Sequence, residues 1–492
     1  MRRMQSTRML DARNLDYGTL GGLVNELAER RISPVELLDH AIARIERFDG
    51  QLNAVVVRDF ERARASAKEA DAALARGERR PLLGIPMTVK ESYNVAGLPT
   101  TWGMPWFKDW HATEDAVAVA RLKAAGAIVI GKTNVPFALG DWQSFNAIYG
   151  TTHNPWSHGR TPGGSSGGSA VSLAAGYVPL EMGSDIGGSL RAPAHYCGVY
   201  SHKPTRGVIP SRGHAVPGTT GGMPDLSVVG PLARSAADLV RAFDVLAGFD
   251  DAEATGMRLS LPSPRHARLR EYRVLVIDSH PMLPADRDVR GAFARLVERL
   301  RTAGAQVATS CAALPDFEKL ARDFVMLLMP VIFARQPAER IAEMAARVAK
   351  LSPDDDSLDA WRLRGAVASH GEWLAADARR FQAARAFREV FASFDIVLFP
   401  PMPTAAFPQD ENANDGTIDI DGTAYPYLDQ LLYASLATPT WQPVTTVPLE
   451  RTAAGLPVGA QIIGPYLEDR TTLHFAELLE AEFGGFVAPP GY

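Results

Sequence analysis

Ser189 is the residue whose surroundings best suit nucleophilic chemistry. It follows Gly187 and Gly188 directly, within Met182–Arg191. Glycines let the backbone fold close to a reacting carbonyl, so that successive N–H groups can converge on the oxygen that becomes negative. The pattern indicates a nucleophile beside an oxyanion hole, although a lone D-x-G-G-S segment is a weak signal.

A second serine-rich segment, TPGGSSGGSA at 161–170, leads into an apolar run that Gly176 ends as a helix cap. A loop feeding a helix N-terminus presents unpaired N–H groups that can hold polar side chains, and the alternative is a structural turn. Residues 164–168 also match the G-x-S-x-G nucleophile elbow, with Ser166 at its centre. An elbow needs a strand directly before it, and residues 156–163 do not have a strand pattern.

Lys90 ends the apolar run Leu83–Lys90, which predicts a buried strand. A lysine at a strand end is usually a solvated terminus. As a base it must be neutral, and its ordinary pKa is about 10.4. Burial that lowered this pKa by about three units would represent about 4 kcal/mol of differential stabilisation, so a catalytic Lys90 requires a dry pocket.

One further match points to another class of protein. Gly126–Thr133 fits the G-x-x-x-x-G-K-[ST] pattern of a phosphate loop, which would indicate a non-enzymatic nucleotide-binding protein. In a phosphate loop the strand precedes the first glycine. Here the residues between the glycines themselves read as a strand, so a helix ended by Gly126 and a strand ended by Gly131 are expected.

In combination, three features in this order resemble the amidase signature family. They are a lysine that ends a buried strand, then Gly-Gly-Ser-Ser-Gly-Gly, then Asp-Ile-Gly-Gly-Ser. The resemblance is densest between Gly84 and Pro231 and covers most of the chain. It includes Leu83–Pro86, Gly131–Asn134, His202–Gly207, Gly230–Pro231 and Gly455–Gln461.

The resemblance implies a Ser-Ser-Lys triad with Ser189 as nucleophile, Ser165 as the bridging serine and Lys90 as base. It also implies a cis peptide bond at Ser165. The oxyanion hole is implied to consist of the backbone N–H groups of Ile186, Gly187, Gly188 and Ser189. The side chains implied to support the triad are those of Ser166, Asp185 and Arg191. Ser184 stands where threonine is common, and Ser201-His202-Lys203 replaces the usual Gly-Leu-Lys. Both departures are expected to affect packing rather than chemistry.

The elements that must position these residues alternate between helix and strand. Ser33-Pro34-Val35-Glu36 is a capping box that opens a helix, and strand patterns recur from Val274 to Ile463. The alternation predicts an α/β fold, and the family implies one large α/β/α domain with a mixed, mostly parallel twisted sheet covered by helices on both faces. We expect one domain over 1–492, a signature core at about 84–231 and a variable helical excursion at about 255–390.

Composition is that of an ordinary globular protein, with 46% hydrophobic and 22% charged residues. Lys plus Arg is 51 and Asp plus Glu is 56, giving a net charge of −5, and no basic stretch predicts a nucleic-acid partner. Two cysteines form no disulfide framework, and the N-terminus has no apolar signal-like region. The expected location is cytoplasmic, without a membrane anchor, as a monomer or homodimer.

No cofactor is expected, and no metal, because His195, Cys197 and His202 lack a matching second ligand pair. The aromatic residues that flank the triad segments are Trp102, Trp106, Phe107, Trp110, Trp142 and Phe145. They favour a small amide with apolar or aromatic groups, with Trp102, Trp142 and Phe145 as candidate substrate contacts, although core packing explains aromatics equally well. Two alternatives stay open, a carbamate or ester hydrolase with the same triad and the glutaminase subunit of a tRNA-dependent amidotransferase.

Overall fold

A computed structural model of the chain describes residues 15–219, 225–334, 336–413 and 416–492. The basic N-terminal stretch, residues 1–14, lies outside the described residues. The strands β1 to β15 span, in order, Val55–Arg58, Pro86–Lys90, Ile128–Thr133, Phe145–Asn146, Gly150–Thr151, Leu180–Asp185, Tyr200–Lys203, Val228–Ala233, Arg273–Val276, Gln306–Ala308, Ile396–Phe399, Thr417–Ile420, Thr423–Pro426, Val444–Arg451 and Pro457–Ile463.

Helices lie between most of these strands. They span Leu20–Ala28, Pro34–Leu52, Phe60–Ala75, Val117–Ala124, Gly167–Ala174, Arg191–Cys197, Ala236–Leu246, Asp251–Ala254, Arg287–Thr302, Phe317–Phe333, Ala338–Val348, Leu358–Ala366, His370–Ser393 and Asp469–Phe483. The capping box predicted at Ser33 is present, with the Ser33 hydroxyl bound to the Glu36 N–H. None of the described helices is long and apolar enough to span a bilayer.

Eleven strands form one mixed sheet in the order β1-β3-β2-β6-β8-β7-β14-β15-β11-β9-β10, flanked by helices. The predicted α/β fold with a mixed sheet is confirmed. The expectation of mostly parallel pairing is wrong, because six of the ten described pairings in this sheet are antiparallel. One of these antiparallel pairs follows from a short connection. Only residues 452–456 join β14 to β15, whereas a parallel crossover needs about a dozen residues.

Residues 255–390, expected to form a helical excursion, contain four helices and most of a fifth, which continues to Ser393, but also two strands of the main sheet. β9 pairs in parallel with β11 and β10 pairs in parallel with β9. The region is therefore joined to the same sheet as the segment that carries Lys90, rather than being purely helical.

Gly126–Thr133 has the structure of a helix cap and a strand. Gly126 follows the helix Val117–Ala124 with a φ of +99°, and a Cβ there would lie 2.6 Å from the Leu83 Cα. The following residues form β3, and the Lys132 ammonium is buried and donates to the Thr100 hydroxyl. These groups leave no loop in which backbone N–H groups could surround a phosphate.

Strand direction brings the serine and lysine segments together. β2 and β6 are parallel neighbours, paired at Thr88 with Glu181 and at Val89 with Met182. Because the carboxyl ends of parallel strands meet at one edge of a sheet, Lys90 at the end of β2 and Asp185 at the end of β6 lie at the same edge. The segment that contains Ser165 and Ser166 feeds the helix Gly167–Ala174, which packs on β2, β3 and β6.

Candidate active site

Lys90 lies at the end of β2 with no exposed surface. Its Nζ donates to Ser165 Oγ at 2.6 Å and to Ser184 Oγ at 2.9 Å. Burial lowers the pKa of Lys90 to about 7, and the nearby Asp185 carboxylate opposes the shift only in part. The dry surroundings that a basic lysine requires are therefore present, and the amine is neutral in a large fraction of molecules near neutral pH.

Ser165 and Ser166 occupy different positions although they are adjacent. The Gly164–Ser165 peptide bond is cis, and the Ser165 hydroxyl lies against Lys90. Ser166 instead accepts a hydrogen bond from the Ser184 N–H and donates one to the Ser184 carbonyl, both at 3.4 Å. Ser166, which the elbow pattern would select, thus holds the backbone of β6.

Ser184 is a site residue that sequence reasoning missed. We expected its departure from threonine to affect packing alone, yet its hydroxyl is one of the two oxygens that contact Lys90 Nζ. That expectation is wrong because β6 runs beside β2, which places the side chain before Asp185 next to the end of β2. The parallel register of the two strands was the information missing from the sequence.

Residues 186–189 form a tight loop between β6 and the helix Arg191–Cys197. In the part of the chain that the structure describes, the N–H groups of Ile186, Gly187 and Ser189 donate to no protein acceptor. The Gly188 N–H differs, because it donates to Asp185 Oδ1 at 3.0 Å. Three N–H groups of this loop are therefore available to a ligand.

Ser189 is the outermost of the three predicted triad residues. It retains 6% exposure, whereas Ser165 and Lys90 retain 1% and 0%. Among the described contacts, Ser189 makes no direct hydrogen bond to either of them. Hydrogen bonds between catalytic groups are often long before substrate binds, so the relay from Ser189 to Lys90 stays a prediction.

Asp185 and Arg191 form a buried ion pair below the loop. Arg191 donates to both carboxylate oxygens, with Nη2 to Oδ1 at 2.7 Å and Nε to Oδ2 at 3.1 Å. Burial alone would raise the pKa of Asp185, but the Arg191 guanidinium outweighs it and holds that pKa at about 2. The ionised carboxylate also accepts the Leu190 N–H at 2.9 Å, so it binds the loop near the end that leads into the helix Arg191–Cys197.

The three aromatic residues predicted to contact substrate lie in different surroundings. Trp142 is 7% exposed, and its indole N–H donates to the Gly187 carbonyl at 2.9 Å. The Trp102 indole donates to the carbonyl of Ser92, which is two residues after Lys90 in the chain, at 3.1 Å. Phe145 is half-buried in β4, and Trp106 is 67% exposed. Of these residues, Trp142 contacts the loop that precedes Ser189.

Two buried ionisable groups, Glu91 and Lys132, interact electrostatically beside Lys90, and the sequence did not reveal that they are close. Burial raises the pKa of Glu91, while Lys132 favours its ionised form. The Glu91 carboxylate accepts the N–H groups of Thr101 and Trp102, at 2.6 and 2.9 Å. Glu91 thereby fixes the segment that carries Trp102, and only the pairing of β2 with β3 brings Lys132 close enough to share this site.

The residues weighed as metal ligands have other partners. His195 receives the Gly459 N–H at Nδ1 and faces the Thr404 carbonyl through Nε2, while the Cys197 thiol donates to the Pro162 carbonyl. His202 lies between Thr445 and Asp469. Within the described ranges, no group of three or more His, Cys, Asp or Glu side chains could hold a metal ion.

Comparison with known proteins identifies the family. The model of the Amidase family matches residues 36–473 of this chain. The chain belongs to the amidase signature family. The matched residues include nearly all of the helix Pro34–Leu52, the serine-rich segments and the final strands, so the resemblance inferred from the motifs holds for nearly the whole chain.

Relatives in the amidase signature family match over nearly the whole length. A glutamyl-tRNA(Gln) amidotransferase subunit from Anaeromyxobacter sp. (strain K) is 33% identical, over 94% of this chain and 96% of the relative. One solved structure is an inhibitor-bound vestigial protein complex described as revealing the evolutionary origins of an s-triazine catabolic enzyme. A chain of it is 28% identical to this chain with a TM-score of 0.78, over 94% of this chain and 98% of that one. A bacterial aryl acylamidase shares the fold, with 23% identity and a TM-score of 0.79, over 95% and 96%.

Proposed function

We propose that this amidase signature protein hydrolyses the C–N bond of small amides through an acyl-enzyme on Ser189, with Ser165 as proton bridge and Lys90 as base. The observation that supports this most directly is the fully buried Lys90 side chain, whose Nζ lies 2.6 Å from Ser165 Oγ and whose pKa is about 7. A lysine held in this way is available as a base at the pH at which most enzymes work.

The proton relay follows from the donors and acceptors around Lys90. A neutral amine has two N–H donors and one lone pair. One N–H can stay on Ser184 Oγ while the lone pair accepts the Ser165 proton across the 2.6 Å contact. Ser165 then accepts the proton of Ser189 as the Ser189 oxygen attacks the carbonyl carbon.

The oxyanion that forms in this attack needs preorganised donors. We assign that role to the N–H groups of Ile186, Gly187 and Ser189, which have no protein acceptor among the described residues. Gly188 has a different role in this scheme, because its N–H is bound to Asp185 and its φ of +98° makes the turn. Only a residue without a Cβ adopts such a φ readily.

Collapse of the tetrahedral intermediate breaks the C–N bond, and the proton held by Lys90 returns through Ser165 to the leaving amine. A water molecule then attacks the acyl-enzyme, with Lys90 accepting its proton by the same route, and Ser189 is regenerated with its proton. Every proton taken up by Lys90 is returned within one turnover, so the residues present supply all the acid and base chemistry.

The surroundings of the loop favour apolar or aromatic groups in the substrate. A Cβ built on Gly187 would lie 3.1 Å from the Leu431 side chain, and Trp142 packs edge-on against Tyr427 with ring centroids 5.8 Å apart. Arg191, a charged group near the loop, is buried and committed to Asp185. A wall of this composition suits an aryl or alkyl amide better than a charged one.

The test is a hydrolysis screen of anilides, aliphatic primary amides, aryl carbamates, esters and glutamine, with the Ser189→Ala protein as matched control. We expect anilides to be cleaved fastest and the control to be inactive. A fluorophosphonate should label the peptide that contains Ser189 in the wild-type protein alone. Full activity in Ser189→Ala, or labelling elsewhere, would contradict the triad. Faster cleavage of aryl carbamates or esters would keep the triad and change the substrate class.

A second candidate is supported by the relatives named as glutamyl-tRNA(Gln) amidotransferase subunits, one of them at 33% identity over almost the whole chain. In such a role, the chain would release ammonia from glutamine by the same triad and would work with partner subunits. In the screen, glutamine would then be the preferred substrate. Hydrolysis of anilides by the isolated chain, with no measurable glutaminase activity, would favour the small-molecule amidase.

A further inference from the structure

The peptide unit between Gly187 and Gly188 is held from both sides. Its carbonyl oxygen, on Gly187, accepts the indole N–H of Trp142 at 2.9 Å. Its N–H, on Gly188, donates to Asp185 Oδ1 at 3.0 Å. A peptide plane that is bound at both its oxygen and its nitrogen cannot rotate without losing one of these hydrogen bonds.

The two peptide planes on either side carry two of the three proposed oxyanion donors. The N–H of Gly187 belongs to the preceding plane and the N–H of Ser189 to the following one. Their directions depend on the plane between them, because consecutive planes share a Cα and differ by only two dihedral angles. Glycines at both shared positions offer little resistance to rotation, so the hydrogen bonds are what fix the direction of the donors.

Trp142 is itself anchored against the other serine loop. A Cβ on Gly164, the residue before Ser165, would lie 2.2 Å from the Asp141 carbonyl oxygen and 2.6 Å from that of Gln143. The Trp142 carbonyl accepts the Thr161 hydroxyl at 2.8 Å. The backbone at 141–143 therefore lies directly on the loop of the bridging serine, while the Trp142 side chain reaches the loop of the nucleophile.

We propose that Trp142 is a positioning residue that aligns the oxyanion donors around Ser189 with the Ser165 loop through its hydrogen bond to the Gly187 carbonyl. The inference rests on the proposed function of this site. Its effect belongs to the transition state, in which the carbonyl oxygen becomes negative, and only to a small degree to the bound substrate. The indole ring can also contact substrate, but the alignment requires the N–H group.

The test compares Trp142→Phe with Trp156→Phe. The first keeps an aromatic ring and removes the N–H. The second removes a matched hydrogen bond, from the Trp156 indole to the Cys197 carbonyl, also 2.9 Å long but outside the proposed machinery. For Trp142→Phe we expect kcat for an anilide to fall by about tenfold or more with KM nearly unchanged, since losing a whole oxyanion donor costs about 10²- to 10³-fold. Trp156→Phe should keep the wild-type kcat.

A boronic acid analogue of the acyl group, which mimics the tetrahedral intermediate on Ser189, supplies the second measurement. Its affinity for Trp142→Phe should fall in parallel with kcat, whereas a contact with substrate alone would raise KM in the same proportion. An unchanged kcat and an unchanged boronate affinity in Trp142→Phe would overturn the inference. The proposed function would still stand if the wild-type protein hydrolysed anilides and was labelled at Ser189. Wild-type protein inactive on every amide and unlabelled at Ser189 would overturn both.

Discussion

At the scale of the residue, Lys90 shows how the environment decides chemistry. The same side chain in water is protonated at neutral pH, and here burial lowers its pKa to about 7. Two hydroxyl oxygens, on Ser165 and Ser184, then receive its N–H groups. The lysine is thus both deprotonated more easily and held in one direction, and each of these properties can be tested by a change in the pH profile.

For the wild-type protein we expect kcat/KM to rise with pH through about 7 and to level off above it, because the proposed base is the neutral amine of Lys90. Ser184→Ala removes an acceptor of the charged form, so the pKa of Lys90 falls further and the midpoint moves to lower pH. The plateau should drop by about tenfold, since a hydrogen bond to a charged group contributes about 1.5 to 3 kcal/mol.

Ser184→Thr is the control for this change because it keeps the hydroxyl, and both the midpoint and the plateau should return towards wild type. A Ser184→Ala profile that matched wild type would show that Ser165 alone orients Lys90. The measurement is initial rates on one anilide across pH 5.5 to about 9, within the range where ordinary lysines stay charged.

At the scale of the element, a buried carboxyl joins the strands below the site. Glu181, in β6, accepts the Thr88 hydroxyl of β2, and the hydroxyls of Thr133 in β3 and Ser169 in the helix Gly167–Ala174 also face it. Burial raises the pKa of Glu181 to about 8, against these hydrogen bonds. A neutral carboxyl therefore links three strands and the helix that follows Ser165 and Ser166.

This carboxyl makes stability depend on pH in a defined direction. Between the ordinary pKa of 4.5 and the raised value of about 8, the folded protein binds one more proton than the unfolded chain. The contribution of Glu181 to stability is therefore complete below pH 4.5 and declines as pH rises towards 8. The side chain of Glu181→Gln stays neutral, so in this variant the free energy of unfolding should not show this decline with rising pH.

The measurement is urea unfolding at pH 5 and pH 8.5, expressed as the difference between wild type and variant so that other titrating groups cancel. Relative to Glu181→Gln, the wild-type protein should be less stable at the higher pH than at the lower. The exposed Glu482→Gln serves as control and should show no such change. A difference that did not vary with pH would mean that Glu181 is ionised in the folded protein.

At the scale of the whole molecule, one sheet joins distant parts of the chain. β2, which ends at Lys90, and β15, which ends at Ile463, belong to the same eleven strands, with β9 and β10 at one edge. Arg191 also spans the sequence, because it donates to Thr438 at 2.7 Å and to Gln461 at 3.2 Å. The site is therefore supported by residues from both halves, and we propose that the chain behaves as one domain.

A single domain should unfold in one cooperative transition. We expect the loss of fluorophosphonate labelling at Ser189 and the loss of far-ultraviolet circular dichroism to follow the same urea curve. If labelling persisted after part of the secondary structure had unfolded, the residues at about 255–390 would form a separate unit. Following the fluorescence of the tryptophans in the same samples gives a third probe of the transition.

The sequence determined much of this protein by itself. Local patterns placed the capped helix at Ser33, the strand that ends at Lys90 and the glycines around Ser165 and Ser189, because capping, burial and turn formation depend on near neighbours in the chain. The strand expected to end at Gly131 continues to Thr133. Motif order also led to the amidase signature family, and it selected Ser165 over Ser166.

The tertiary structure alone decided how these segments meet. Three interactions join residues far apart in sequence through the pairing of strands and the packing of loops. They are the hydrogen bond from Lys90 to Ser184, the electrostatic interaction of Glu91 with Lys132, and the hydrogen bond from Trp142 to the Gly187 carbonyl. Antiparallel pairing prevailed in the sheet for the same reason. Strand direction and register depend on which strands become neighbours, and no local pattern in the chain encodes that choice.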